Sequence, residues 1–192
     1  MTSKFATIER PKTEKKEDKK RMPNKITVYL AGPLFGIADR HHNLLLAREL
    51  EQFGFEVILP QKEALKFFKD GKFDLKAVCK NCFEGATKSD VVVANIDGPS
   101  ADDGTAIEVG MAISKQKNQT FPGRLRTNPL VICVRTDFRT ASDREVGINA
   151  MFRLANKIIE KPAYANSLED VEKFYEMLAY EIYQNIVSQL II

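Results

Sequence analysis

Residues 90–97 read DVVVANID, a short apolar run rich in β-branched side chains. Such a run is typical of a strand in a parallel sheet that helices cover on both faces. The segment DGPS at 97–100 cannot continue the strand, so a loop begins near Asp97. From Gly104 to Gln116 the spacing is helical. The whole stretch therefore predicts a strand, a loop and a helix, the repeating unit of an α/β fold.

The predicted helix carries a carboxylate, Glu108, about one turn beyond its start, among small and apolar neighbours. Asp102 or Asp103 is placed to accept hydrogen bonds from the first free backbone N–H groups of this helix. A buried carboxylate without a cation is costly unless it is hydrogen-bonded or protonated, which makes Glu108 a candidate functional residue. The alternative is that Glu108 points to solvent from an amphipathic helix. Gly104 and its small neighbours would let a ligand approach closely.

The rest of the chain continues the alternation of strands and helices. Strands are predicted at 25–31, 55–59, 90–97, 130–134 and 157–160. Helices are predicted at 41–53, 62–69, 74–88, 104–116, 146–156 and 168–190. This alternation indicates an α/β fold, a doubly wound, flavodoxin-like parallel sheet of about five strands flanked by helices.

In such sheets ligands bind beyond the carboxyl ends of the strands, where the strand order reverses. The segments predicted to lie at this edge are rich in Gly, Pro and polar residues: 32–35, 60–61, 97–104 and 135–139. The chain contains no G-x-G-x-x-G and no Walker sequence, which argues against a dinucleotide or an ATP phosphate site.

Length and charge indicate one folded unit with a polar tail. The 192 residues suffice for one domain with a full core, predicted at 25–192. Residues 1–24 are predicted to form a disordered basic tail, and they account for the positive net charge of +3. The remainder is nearly neutral, so nothing indicates nucleic-acid binding. With no secretory leader and no apolar stretch of about 18 residues, a soluble cytoplasmic protein without membrane contact is expected.

The three cysteines form an odd count that fits a reducing compartment. Cys79 and Cys82 form a C-x-x-C sequence, but a zinc site would need two further ligands. The only histidines, His41 and His42, lie on another predicted helix and are interpreted as solvated or capping residues. A redox motif would begin a helix, whereas this one lies within a helix, so the cysteines are interpreted as small packing residues.

Four motifs, in order, resemble the nucleoside 2-deoxyribosyltransferase family. They are YLAGPLF at 29–35, DVVVA at 90–94, DDGTAIEVG at 102–110 and GINAM at 147–151. The resemblance runs from about Ile26 to the end of the chain. The same superfamily includes deoxynucleoside 5′-monophosphate N-glycosidases, so the resemblance indicates the chemistry more closely than the substrate.

The resemblance implies cleavage of the N-glycosidic bond of a 2′-deoxynucleoside with retention, then transfer of the sugar to a free nucleobase, without metal or cofactor. Glu108 corresponds to the nucleophile that forms a deoxyribosyl ester, the strategy of retaining glycosidases. Asp102 corresponds to the acid that protonates the departing base, and Tyr29 to the tyrosine that orients the nucleophile. A nearby carboxylate is one way to raise the pKa of such an acid.

Further binding residues follow from the same resemblance. Gln61 is a candidate for contact with the base edge, and Asn149 corresponds to an asparagine that reaches the site of a neighbouring subunit, which implies a homo-oligomer. Where the family has Asp or Asn near the base, this chain has Cys82, so either Asn81 serves instead or the contact is missing. The remaining candidate substrate-binding residues are Gly32, Pro33, Phe35, Asp97, Gly104 and Met151.

Three functions remain open at this point. The first is the transferase, and the second is a hydrolase of the same fold in which water replaces the acceptor base. The hydrolase would act on a 5′-monophosphate, for which Arg135 and Arg139 could supply cations. The third is a nucleotide-sensing module without turnover. Taken singly, Tyr29 could be an ordinary strand aromatic and Asn149 a helix cap.

Overall fold

The computed structural model describes residues 25–117, 129–137 and 148–190. The predicted tail at 1–24 lies outside these residues, as do Arg139 and Gly147. In chain order the elements are β1 (Thr27–Ala31), α1 (Ile37–Gln52), β2 (Glu56–Ile58), α2 (Pro60–Glu63), β3 (Phe68–Lys69), β4 (Lys72–Phe73), α3 (Leu75–Lys88), β5 (Val91–Asn95), α4 (Asp103–Lys117), β6 (Leu130–Arg135), β7 (Lys157–Glu160) and α5 (Leu168–Leu190). Short 3₁₀ turns lie at Ala64–Phe67 and Ala150–Leu154. No described helix is both long and apolar enough to cross a membrane.

Five strands form one parallel sheet in the order β2-β1-β5-β6-β7. The chain moves outward from β1 to β2 and then crosses back over β1 to build the other half, so the order reverses between β1 and β5. This is the doubly wound, flavodoxin-like arrangement that the sequence predicts. All residues of β5 and β6 are buried, which explains their continuous apolar sequences.

Side chains alternate between two separate cores on the two faces of the sheet. Val28 and Leu30 pack in the core under α1 and α5, here called the α1/α5 face. Tyr29 and Ala31 point the other way, into the core under α3 and α4, here called the α3/α4 face. The strand β1 thus sends its tyrosine to the side from which α4 brings Glu108.

The predicted helix at 62–69 is wrong. The chain makes one helical turn and a 3₁₀ turn, then the antiparallel hairpin β3–β4. Asp70 and Gly71 form the hairpin turn with φ of 50° and 75°. Asp-Gly favours positive φ at both central positions of a two-residue hairpin turn, and this local preference prevails over the helical spacing of the apolar residues.

The predicted helix at 146–156 is also wrong in its described part, where only the 3₁₀ turn Ala150–Leu154 forms. Phe152 alone in this turn is buried, so no apolar face exists to support a longer helix.

The interpretation of His42 as a solvated or capping residue is wrong as well. Its Nδ1 lies 2.7 Å from the hydroxyl of Tyr175 on α5, and its Nε2 is buried.

Candidate active site

The candidate site centres on a hydrogen bond between Tyr29 on β1 and Glu108 on α4. The phenol of Tyr29 is fully buried and donates to Oε1 of Glu108 over 2.7 Å. Glu108 lies on the inner side of its helix and is only partly exposed, so it faces the sheet rather than bulk water. The structure therefore brings together two of the three residues predicted to be catalytic.

A glycine makes room for the tyrosine. A Cβ atom at Gly85 in α3 would lie 2.3 Å from Cε2 of Tyr29, far inside van der Waals contact. A glycine inside a helix costs about 1 kcal/mol relative to alanine, and here it allows the ring to lie against the helix backbone. Cys82 lies three residues earlier on the same helix face, is half-buried, and contributes to the pKa shifts of Tyr29 and Glu108.

The surroundings of Glu108 set its charge. Burial, and to a smaller extent the negative charge of Asp102, raise the pKa of this carboxyl from 4.5 to about 7. Hydrogen bonds from Tyr29 and Cys82 act in the opposite direction, because they stabilise the carboxylate. Burial also raises the pKa of Tyr29, so the phenol keeps its proton and remains a donor. Glu108 consequently exchanges between its neutral and charged forms near neutral pH.

Asp102 precedes α4 and is held by its first turn. Its Oδ2 accepts hydrogen bonds from the backbone N and from Oγ1 of Thr105, at 2.9 and 3.0 Å. A side chain at Gly104 would bring its Cβ within 3.2 Å of the same oxygen. Asp102 thus acts as the helix cap predicted from the sequence, and its carboxylate lies near enough to Glu108 to affect the pKa of Glu108.

Two predicted binding residues, Gln61 and Pro33, belong to a hydrogen-bonded network behind the loop after β1, and a third, Gly32, lies beside it. The side chain of Gln61 is buried, donates to the carbonyl of Arg40 over 3.1 Å and accepts from Asn43 over 3.2 Å. Asn43 also donates to the carbonyl of Pro33 over 2.9 Å. At Gly32 a Cβ would lie 3.3 Å from the Cβ of Asn95. These contacts fix the loop, and Gln61 is engaged with the protein itself.

Asp97 joins the carboxyl ends of β5 and β6. Its carboxylate accepts hydrogen bonds from the backbone N of Thr136 and of Asp137, at 2.6 and 2.8 Å, and from Oγ1 of Thr136 at 2.5 Å. The buried Arg135 donates to the carbonyls of residues 96 and 98, each over 3.4 Å. The sequence assigned Asp97 and Arg135 to a ligand, whereas both have protein partners that hold the loop in place.

The other candidates lie on the surface of the chain or beside the site. Asn81 is partly buried on α3, and the face of α3 that meets Tyr29 carries Cys82 instead. Phe35 and Met151 are 84% and 69% exposed. Asn149 is exposed and its side chain accepts from the backbone N of Met151 over 3.0 Å, capping the 3₁₀ turn.

Sequence reasoning missed Gly85 as part of this site and interpreted Cys82 as a packing residue. A lone glycine within a helical pattern was the available signal for Gly85, since it is costly there without a packing reason. The interpretation of both cysteines as packed residues is wrong for Cys79, which is exposed. Among the described residues, no three His, Cys, Asp or Glu side chains are grouped as a metal site would require.

The chain is similar to known proteins in sequence and in fold. The family model for nucleoside 2-deoxyribosyltransferase matches residues 28–151. A conserved protein from Enterococcus faecalis V583 is 23% identical with a TM-score of 0.54, over 81% of this chain and 99% of that one. A 2-deoxyribosyltransferase from Bacillus psychrosaccharolyticus is 24% identical with a TM-score of 0.51, over 76% and 90% of the two chains. A CMP N-glycosidase from Clostridium botulinum is 16% identical with a TM-score of 0.45, over 79% and 98%. No curated protein matches the sequence.

Proposed function

The chain belongs to the nucleoside 2-deoxyribosyltransferase family, and on this premise we propose that it transfers the sugar of a 2′-deoxynucleoside to another nucleobase through a covalent ester on Glu108. The observation that carries the proposal is the 2.7 Å hydrogen bond from Tyr29 to the inward-facing Glu108. A retaining displacement needs a carboxylate in a fixed orientation. A buried phenol that keeps its proton supplies that orientation.

In the first step an oxygen of the Glu108 carboxylate attacks the anomeric carbon of the sugar. A bond between carbon and oxygen forms, the bond to the base nitrogen breaks, and its electron pair stays with the base. We assign Asp102, in its protonated form, as the acid that gives the departing base a proton. In support, Oδ2 of Asp102 accepts a hydrogen bond from the backbone N of Thr105, and the charge of Asp102 raises the pKa of Glu108.

In the second step a different base attacks the same carbon and the ester bond to Glu108 breaks. The electron pair returns to the carboxylate, and Asp102 accepts the proton that the incoming base loses. The two displacements together retain configuration. The bond changes and proton transfers of both steps involve Glu108, Asp102 and the two substrates. Because the ionised form of Glu108 attacks, the raised pKa links activity to neutral and alkaline pH.

We also propose a homo-oligomer whose site is completed by a neighbouring copy through Asn149. In support, Asn149 and Met151 lie together on an exposed 3₁₀ turn, and Met151 is an apolar side chain 69% exposed. Asn149→Ala is expected to lower kcat/KM and to leave the free energy of unfolding of the single chain unchanged. A light-scattering mass equal to one chain under assay conditions would reject this part. The three free cysteines support a cytoplasmic location.

Hydrolysis is the second candidate, and Cys82 favours it. The thiol of Cys82 is a weak hydrogen-bonding group. An acceptor base therefore gains less binding energy from Cys82 than it would from an amide or a carboxylate at this position. Water would then compete better for the ester. The buried Arg135, which donates to carbonyls of residues 96 and 98, gives no support to a 5′-phosphate preference.

The test uses the whole protein with deoxyinosine and free adenine, with products separated by chromatography. New deoxyadenosine supports transfer, whereas free deoxyribose and hypoxanthine alone support hydrolysis. Intact-mass measurement after mixing with deoxyinosine alone is expected to detect one deoxyribosyl adduct, located by peptide mapping on Glu108. Glu108→Gln is the matched control and forms no adduct. An adduct elsewhere, or turnover by Glu108→Gln, would overturn the proposal.

A further inference from the structure

We propose that Cys79 and Cys82 form a redox-active dithiol, which a hydroperoxide oxidises to a disulfide within α3, and that this oxidation lowers the activity of the neighbouring candidate site. The disulfide is a property of the free protein. Its effect on the rate rests on the proposed function.

Packing does not account for Cys79. This residue is exposed, whereas Cys82 is half-buried and Cys133 is buried. Cys133 lies on β6, in the core of the α3/α4 face, and so belongs to a different element from the other two. Cys79 and Cys82 are three residues apart in α3 and share a face of that helix. An oxidant in solvent therefore meets Cys79 first, and Cys82 is the neighbouring thiol that can resolve the oxidised product.

The helix sets the distance between the two cysteines. Residues three apart in an α-helix are about 5 Å apart at Cα, within the span of about 4.4–6.8 Å found in disulfides. Their Cβ atoms are about 5–6 Å apart, whereas a disulfide needs about 3.5–4.5 Å. The bond therefore forms only when this turn of α3 moves by roughly 1–2 Å. A disulfide held against the helix geometry is readily reduced again, so the oxidation is reversible.

The movement reaches the candidate site through Gly85, which lies three residues beyond Cys82 on the same face of α3. A Cβ at Gly85 would lie 2.3 Å from Cε2 of Tyr29, so this face is in direct contact with the ring. Tyr29 in turn donates to Glu108 over 2.7 Å. A shift of about 1 Å in a group that positions a reacting atom can lower a rate roughly a hundredfold. Oxidation is therefore expected to disturb the orientation of the Glu108 carboxylate.

The oxidation balances with a hydroperoxide as the oxidant. The thiolate of Cys79 attacks the terminal oxygen, an S–O bond forms, the O–O bond breaks, and the other oxygen leaves with a proton as an alcohol or as water. The sulfur of Cys82 then attacks the sulfenic acid on Cys79. An S–S bond forms, the S–O bond breaks, and the hydroxyl group leaves with the proton of Cys82 as water. The two sulfurs together lose two electrons, which the peroxide gains.

The first experiment identifies the disulfide. The reduced protein is treated with hydrogen peroxide, its remaining thiols are alkylated, and it is unfolded and digested with trypsin, which cleaves after Lys80 between the two cysteines. Segments 77–80 and 81–88 are expected to stay joined without reductant and to separate with dithiothreitol, while the intact mass is that of one chain less two hydrogen atoms. A link to Cys133 or to a second chain, or further oxidation of Cys79 without a link, overturns the proposal.

The second experiment measures rates of base exchange before and after the same oxidation. Wild type is expected to lose at least about tenfold in kcat/KM and to recover it with dithiothreitol. Cys79→Ser is the matched control, because it changes an exposed residue and removes the thiol that reacts first. It is expected to keep the untreated rate and to lose less than about twofold on oxidation.

An equal loss in Cys79→Ser would mean that oxidation acts elsewhere, and it would overturn the link between the dithiol and the site. A disulfide that leaves the rate of wild type unchanged would overturn that link as well. If the disulfide forms as expected while the reduced wild type turns over no deoxynucleoside, the proposed function fails and the redox-active dithiol stands.

Discussion

The two faces of the sheet each bury a tyrosine hydroxyl against a titratable side chain at 2.7 Å. On the α3/α4 face Tyr29 meets Glu108, and on the α1/α5 face Tyr175 meets His42. Burial pushes both partners toward their neutral forms. It raises the pKa of Glu108 to about 7 and lowers the pKa of His42 below its ordinary 6.5. Burial thus brings the pKa of Glu108 into the neutral pH range and moves the pKa of His42 below that range.

The packing around the two pairs differs as well. The ring of Tyr175 lies edge-on to the rings of His42 and Phe174, at 5.3 and 5.4 Å between centroids, amid large side chains. The α3/α4 face contains Gly85 and several alanines instead. A short hydrogen bond to a buried tyrosine occurs on both faces, and only on the α3/α4 face does it hold a carboxylate. Small neighbours, and a pKa moved toward neutrality, distinguish the candidate site from the structural pair.

The largest expected effect separates the two faces by activity. Glu108→Gln keeps the shape of the side chain but removes the attacking carboxylate, and we expect kcat/KM to fall by at least about a thousandfold. Tyr175→Phe on the other face is expected to leave kcat/KM within about twofold, because its hydroxyl bonds to His42, on the opposite side of the sheet from Glu108. Initial rates of base exchange measure both. Comparable losses in the two variants would erase the distinction.

The next effect is steric. Gly85→Ala forces the ring of Tyr29 from its place, and we expect about 1–3 kcal/mol of lost stability together with roughly a hundredfold lower kcat/KM. Gly110→Ala is the matched control in α4, because a Cβ there meets nothing within 4 Å. It is expected to gain up to about 1 kcal/mol from helix propensity. Urea unfolding and initial rates decide the matter, and a neutral Gly85→Ala would contradict the close packing of the ring.

Removing each hydroxyl sharpens the contrast further. Tyr29→Phe is expected to lower kcat/KM roughly tenfold to a hundredfold, because Glu108 loses the donor that orients it. Tyr175→Phe is expected to cost about 1–2 kcal/mol of stability, because it leaves Nδ1 of His42 buried without this hydrogen bond. Tyr29→Phe is thus expected to affect mainly the rate, and Tyr175→Phe mainly the stability. Unfolding curves of both proteins, read beside their rates, provide the check.

The smallest effects lie in the pH dependence of stability, where the faces have opposite signs. The pKa of Glu108 is higher in the folded chain than the ordinary 4.5, so its favourable contribution is complete below pH 4.5 and is lost as pH rises through about 7. Glu108→Gln should therefore gain stability relative to wild type between pH 5 and 8, by at most about 3 kcal/mol. For His42 the folded pKa is lowered, so stability is lost as pH falls below 6.5.

His42→Gln is the corresponding variant on the α1/α5 face and should flatten the acidic side of the stability profile. Unfolding by urea at a series of pH values measures both variants against wild type. An identical pH profile for Glu108→Gln and wild type would mean that burial does not raise the pKa of Glu108. The contrast between the pKa shifts of Glu108 and His42 would then be wrong.

The sheet could be predicted because strands covered on both faces have continuous apolar sequences, as in β5 and β6. The hairpin β3–β4 could not be predicted from apolar spacing, because that spacing around residues 62–69 also fits a helix. The Asp70-Gly71 turn was the better signal. The motifs led to Glu108, Asp102 and Tyr29; the structure joins Tyr29 to Glu108 by a hydrogen bond, and the charge of Asp102 raises the pKa of Glu108.

Other polar residues at the strand ends were harder to interpret. Asp97 and Gln61 look like ligand-binding residues in the sequence, but their partners come from distant segments that only the folded chain brings near. The choice between Cys82 and Asn81 depends on which face of α3 meets the sheet. That is decided by packing against Tyr29, to which sequence spacing gives no access.

Because Gly85 lies so close to Tyr29, substitutions at positions 29 and 85 depend on each other although the two positions are far apart in the sequence. Every other amino acid adds a Cβ where the aromatic ring of Tyr29 lies, so the only relief is a smaller residue at 29, which would discard the hydroxyl. A library that randomises positions 29 and 85 together should return glycine at 85 in the most active clones with tyrosine at 29. Evolution of this site is therefore constrained by a residue that has no side chain.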